Sequence, residues 1–139
     1  MIVVDTNVIS AVMNDPADEK VVEWMKAQPV TSLWTTAISV FEIRLGLLAL
    51  PEGRRRRALE TAFNEALEID LEGRVLPFDE GAALAAATVA AQRRKAGKPV
   101  DVRDIQIAGI ASDRGATLAT RNTKHFEGFG VRVVNPWTA

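Results

Sequence analysis

"MIVVDTNVIS", residues 1–10, decides the fold. Ile2, Val3 and Val4 form an unbroken β-branched run, the pattern of a strand buried on both faces, and Asp5 ends it with a carboxylate. No hairpin signal follows: "TNVISAVMN" reads as a helix, so the strand feeds a crossover and belongs in a parallel sheet. The alternation repeats outward from there. "PADEKVVEWMKAQ" reads as a second helix, opened by Pro16 and ended with the help of Pro29. "LWTTAIS" reads as a strand, and Ser39 as the cap of a helix Val40–Leu50 that Pro51 closes. Arg54–Ile69 continues as an amphipathic helix through Leu59, Ala62, Phe63, Ala66 and Leu67. "RVLPF" is a weaker strand because of Pro77, and Asp79 caps an alanine-rich helix reaching Gly97. Asp101 caps the next helix, Val102 to about Ser112, and "ATLAT" and "VRVVN" supply two last strands. The fold class is α/β with a mostly parallel sheet, and the 139 residues predict one domain, 1–139.

An apolar fraction of 47% and a charged fraction of 25% match a soluble globular protein, and a net charge of −1 gives no global attraction to nucleic acid. An anionic partner must therefore meet a local basic patch. With no cysteine, thiolate catalysis and thiolate metal sites are excluded. Asp5 comes too early for the apolar stretch of an export signal, and the longest near-apolar run, Ala82 to Ala91, is about half a membrane span. A cytoplasmic protein is the expectation.

Ligands of open α/β sheets sit beyond the carboxyl ends of the strands, which draws attention to acids placed there. Asp5 is one, and it serves equally well as a cap for the helix at Thr6. Asn7 has the same capping alternative. Glu42 lies on an almost wholly apolar helix, in line with Ile38, Leu45 and Ala49, where an unpaired carboxylate is costly to bury. Its alternatives are a rim position or a buried arginine partner, and Arg44 points elsewhere on the wheel. Asp104 shares a face with Ile107, Ala108 and Ala111, although an acid in a first helical turn also suits the helix dipole. Like charges at close range raise one another's proton affinity, so three such carboxylates call for a hard cation, Mg²⁺ or Mn²⁺. After the "ATLA" strand, Asn122 stands at the same sheet edge, as a turn residue or as a neutral oxygen near that cation.

Exclusion narrows the chemistry. A single histidine rules out a mechanism using two imidazoles, and no nucleophile-elbow serine or phosphate-cradling glycine motif is present. A carboxylate-held divalent cation suits phosphodiester hydrolysis. "GRRRR" (53–57), "QRRKAGK" (92–98) and Arg121 are candidate nucleic-acid contacts, against the plainer reading of solvated helix faces and helix C-termini.

"MIVVDTNVIS", "SVFEIRLGL", "DVRDIQIAGIA" and "LATRNTKHFEGFGVRVVNPW" together resemble PIN-domain ribonucleases of the VapC toxin type, particularly the FitB-like branch, in the same order along the chain. The resemblance implies a three-layer α/β/α sandwich and RNA cleavage with Mg²⁺ or Mn²⁺. It makes Asp5, Glu42 and Asp104 the metal-binding acids and puts Asn122, as a catalytic-site residue, where many relatives carry a fourth acid or an Asn. That departure leaves the number of metal ions open. His125 stands where many relatives have Asp and is not counted as catalytic. The resemblance further implies a homodimer, with further pairing into a dimer of dimers left open, and a VapB-like antitoxin whose C-terminal segment blocks the acidic pocket.

Two other readings start from Asp5: a receiver-like phosphoacceptor domain using Asp79 and Lys124, and a haloacid-dehalogenase-like phosphatase. The first leaves Glu42 without a job, and the second wants an acid where Asn7 stands. The apolar surround of the 40–50 helix, finally, predicts a two-fold interface drawing on Phe41, Leu45, Leu48, Leu59 or Phe63.

Overall fold

In the computed structural model, which describes residues 1–139, five parallel strands form one sheet: β1 (Ile2–Val4), β2 (Leu33–Thr36), β3 (Val75–Leu76), β4 (Thr117–Ala119) and β5 (Arg132–Val134). Their spatial order is β3-β2-β1-β4-β5. Val3 pairs with Trp34 on one side and Leu118 on the other, which makes the "IVV" run the centre of the sheet. The helices are α1 (Thr6–Met13), α2 (Glu19–Ala27), α3 (Ala37–Ala49), α4 (Arg54–Glu65), α5 (Glu80–Lys95) and α6 (Val102–Asp113).

The pleat of β1 divides the core. Val3 faces a cluster built with α5, α6 and Phe126, and Val4 faces one built with α1–α4, Phe63 and Leu71. Helices thus cover both faces of the sheet, giving the expected α/β/α sandwich. α5 and α6 approach closely at Gly109: a Cβ there would lie 2.6 Å from the Ala82 carbonyl oxygen and 2.8 Å from Ala86 Cβ. The alanine-rich α5 is the partner such an approach requires.

Several expected boundaries move. α2 is capped by Asp18, whose Oδ1 accepts from Lys20 N at 3.1 Å, and begins at Glu19 rather than Pro16. α3 begins at Ala37, because Thr36 rather than Ser39 is the cap: Thr36 Oγ1 accepts from Ser39 N at 3.1 Å. β2 is accordingly only "LWTT". α4 gives way after Glu65 to a π-helical turn, Ala66–Asp70. Asp79 and Asp101 cap α5 and α6 as the sequence predicts. No helix is long and apolar enough to cross a membrane.

Candidate active site

β1 leads the chain to β2 and β3 on one side, while β4 and β5 lie on the other, so the order reverses between β1 and β4. A crevice opens at such a switch point beyond the strand ends. Asp5 follows β1 there, Thr120–Asn122 follow β4, and the backbone N–H of Asp5 donates to the Ala119 carbonyl at 2.9 Å. α3 and α6 bring Glu42 and Asp104 to the same place. All four predicted site residues, Asp5, Glu42, Asp104 and Asn122, line one cleft of about 750 Å³ together with Thr6, Asn7 and Arg121.

Asp5 is buried; it caps α1 and also lines the cleft. Oδ1 accepts from Thr6 N at 2.8 Å, as a cap does, while Oδ2 accepts from Thr120 Oγ1 at 2.7 Å and Asn7 Nδ2 at 3.4 Å. Burial raises its pKa, against the pull of these donors and of His125. Glu42 sits at the rim, half-buried, with Oε1 3.2 Å from Thr6 Oγ1 and Oε2 3.7 Å from an Arg103 nitrogen. The arginine on Glu42 therefore comes from α6 and not from α3 itself. Burial also raises the Glu42 pKa, with Asp5 and Asp101 adding repulsion. Asp104 is pushed up to about 6 by burial first, then by the negative charges of Asp101 and Asp5. His125 opposes this, its Nδ1 lying 3.2 Å from Asp104 Oδ2.

Sequence reasoning passed over two hydroxyls. Thr120, fully buried, donates to Asp5 and accepts from Asn7 Nδ2 at 3.2 Å and Asn122 N at 3.1 Å. Thr6 joins Glu42 to Ser39. A threonine after a strand reads as turn chemistry, and nothing local in "TLATRN" or "VDTN" signals a carboxylate partner far along the chain. His125, not counted as catalytic because many relatives have Asp there, proves to lie against Asp104, a contact that only the folded chain makes.

The acids form a hard, anionic oxygen donor set in which Asp5 raises the proton affinity of both Glu42 and Asp104, an imbalance a divalent cation relieves. No three acidic or imidazole side chains converge closely enough to ligate one ion directly. The arrangement fits an ion that keeps several waters and takes one or two carboxylates directly, as Mg²⁺ does.

Known proteins decide the family. A PIN-domain model matches residues 2–130. The chain belongs to the PIN-domain family. Among its relatives, VapC ribonuclease Y4jK of Sinorhizobium fredii is 41% identical over 99% of this chain and 98% of its own length. Toxin FitB of Neisseria gonorrhoeae is 35% identical over 99% of both. The crystal structure of FitAcB from Neisseria gonorrhoeae superposes with a TM-score of 0.89 at 34% identity, covering all of both chains. This PIN chain is thus VapC- and FitB-like from end to end, and the α/β/α architecture expected from four motifs is the one it adopts.

Other expected features separate. Asp79 pairs with Arg114 at 3.2 Å at the start of α5, outside the acid cleft, so a receiver-like role for it finds no support. Of the basic stretches, Arg56 is tied to Glu60 at 2.7 Å, whereas Arg54 and Arg55 line a second cavity of about 720 Å³ that shares Asn14 with the acid cleft. Arg93, Lys124 and His125 line a third, which shares Asp104.

Proposed function

We propose that this chain is an Mg²⁺- or Mn²⁺-dependent endoribonuclease acting as the toxin of a VapBC-type pair. The observation that carries the reading is the convergence of Asp5, Glu42 and Asp104, all with raised pKa, in one polar cleft of a PIN chain. The relative named a VapC ribonuclease supports RNA as substrate.

Asp5, Glu42 and Asp104 would hold the ion together with its waters, one or two of the carboxylates directly. Bound there, it supplies charge neutralisation at the phosphodiester and a lowered pKa for the attacking water. The chain's own groups prepare the site. Thr120 and Thr6 fix the Asp5 and Glu42 carboxylates through hydrogen bonds, and Asn122 offers the cleft a neutral amide where a fourth acid would add repulsion. The cavities sharing Asn14 and Asp104 carry arginine, lysine and histidine, which suits a polyanion running through an acidic centre.

The test is incubation of the purified chain with RNA. Cleavage should require Mg²⁺ or Mn²⁺, stop on chelation, and fail with Ca²⁺, whose looser geometry positions water poorly. Cleavage undiminished by chelator would sink the metal reading. Transfer of phosphate from acetyl phosphate to the protein, without RNA cleavage, would favour the receiver-like alternative.

Two partners belong to the same reading. The toxin name of the FitB relative supports a small antitoxin as partner, and in this reading the antitoxin's C-terminal segment would block the acidic cleft. A homodimer is supported by α3, where Phe41, Leu45 and Leu48 stay 55%, 46% and 64% exposed in the single chain. The Ile38–Glu42–Leu45 line therefore runs from the core edge outward, rather than wholly inward. Phe63 is not available for that interface: it is fully buried beneath the Arg44 guanidinium. Leu48→Glu should give monomers in sedimentation, and a wild type that sediments as a clean monomer at micromolar concentration would refute the dimer.

A further inference from the structure

The acid cleft is far larger than an ion and its waters need, and Trp137, Arg121, Pro16 and Asp18 line it together with the acids. Arg121 is the only arginine or lysine lining it. Unlike Arg103, which lies on Glu42, Arg121 forms no ion pair. It is nevertheless held in place. Its backbone N–H donates to Asn7 Oδ1 at 3.1 Å, beside Asp5, and its guanidinium lies 4.9 Å over the Trp137 ring. Trp137 is itself fixed: its indole Nε1–H donates to Asp18 Oδ2 at 2.9 Å, and its backbone N–H donates to Asn135 Oδ1 at 2.9 Å. Asp18 is in turn committed to capping α2.

This chain of contacts does something a solvated arginine does not. A flexible guanidinium loses rotamer entropy on meeting an anion, whereas one already laid on an aromatic face has lost part of it, and stacking leaves its in-plane N–H donors free. The neighbouring acids make the cleft unfavourable for a polyanion wherever the metal does not reach, so an unpaired, oriented cation just past Asn7 is placed to offset that repulsion. Resting on the nuclease reading above, we propose that Arg121 is a substrate-binding residue that holds an RNA backbone phosphate next to the scissile one. Trp137, anchored by Asp18, is its positioning residue. The segment 135–139 is then part of the substrate site and not merely packing beside β5.

The experiment is steady-state cleavage of a short single-stranded RNA, with Mg²⁺, by wild type and four variants at several salt concentrations. Arg121→Ala should raise KM about tenfold with little change in kcat, and make the negative slope of log(1/KM) against log salt shallower by about 0.7, since one phosphate contact to a single strand is lost. Arg121→Lys, which keeps the charge without the flat stack, should fall between the two. Trp137→Leu should raise KM in the same direction, and Trp137→Phe, which retains an aromatic face, should restore most of the loss. An unchanged KM and salt slope in active Arg121→Ala overturns the proposal. So does a Trp137→Leu protein that loses thermal stability and kcat while keeping KM, because the tryptophan would then be only structural. Failure of the wild type to cleave any RNA would instead overturn the nuclease reading on which this one stands.

Discussion

The acid cleft and the seam between α5 and α6 both accept few residue types, and for opposite physical reasons. At the seam the constraint is shape: Gly109 is required because any Cβ would meet the Ala82 carbonyl and Ala86 within 3 Å. Satisfying it stabilises the fold. In the cleft the constraint is charge, and satisfying it works against the fold, since burial raises the proton affinity of Asp5, and burial with repulsion from neighbouring acids raises that of Glu42 and Asp104. The cleft is tolerable because no buried side-chain polar atom lacks a hydrogen-bond partner. Stability and activity should therefore separate between the two regions: cleft variants lose activity and keep stability, whereas seam variants lose stability and keep activity for as long as they stay folded.

The largest effect should come from Asp5→Asn. RNA cleavage should fall by more than about 100-fold, beyond the 10–100-fold typical of a residue that only orients a metal ligand. The melting temperature of the metal-free protein should stay level or rise, because a repelling charge is gone. Calorimetry on the same sample as the assay checks both halves, and a variant that is inactive because it has unfolded would break the contrast.

Gly109→Val tests the other side. Overpacking a close helix contact costs about 1–3 kcal/mol, which lowers the melting temperature by roughly 3–10 °C in a domain of this size. Residual activity measured well below the new melting point should approach the wild-type value; an unchanged melting temperature would mean that α5 and α6 do not approach as closely as the backbone indicates.

The pH dependence of the metal-free protein sharpens the charge argument. Asp104 binds its proton more tightly folded than unfolded, with a pKa near 6 against 3.8, so the stability it contributes is present below about pH 4 and lost as the pH rises through about 6. Asp5 and Glu42 shift in the same direction. Urea unfolding of wild type and Asp104→Asn should thus give similar midpoints near pH 4 and a more stable variant at pH 7. A gap that instead narrows as the pH rises would contradict a raised pKa.

The smallest effect belongs to Gly81→Ala, a control for the seam. The nearest atoms to a Cβ there belong to the Asp113 carboxylate, 2.7 Å away at the end of a side chain that can swing aside. Alanine's helix propensity, worth up to about 1 kcal/mol over glycine, should offset that shift and leave stability nearly unchanged in thermal melts. A loss as large as that of Gly109→Val would mean that the seam is rigid along its whole length and not only at the Ala82–Ala86 contact.

By itself the sequence determined the elements and the acids. A β-branched run ending in Asp5 declares a buried parallel strand, and a carboxylate on an apolar helical stripe declares itself out of place at Glu42 and Asp104, because these patterns are local and periodicity reads them. The same locality explains the boundary errors: Thr36 and Ser39 both suit a cap, and only the folded backbone selects between them. Tertiary structure alone decided what surrounds the acids. Thr120 lies 115 residues from Asp5, Arg103 approaches Glu42 from another helix, and Trp137 meets Arg121 and Asp18 from the far end of the chain. Such partners carry no mark of their own in the sequence, since a hydroxyl or an indole is an ordinary residue until strand order brings it to the crevice beside β1 and β4.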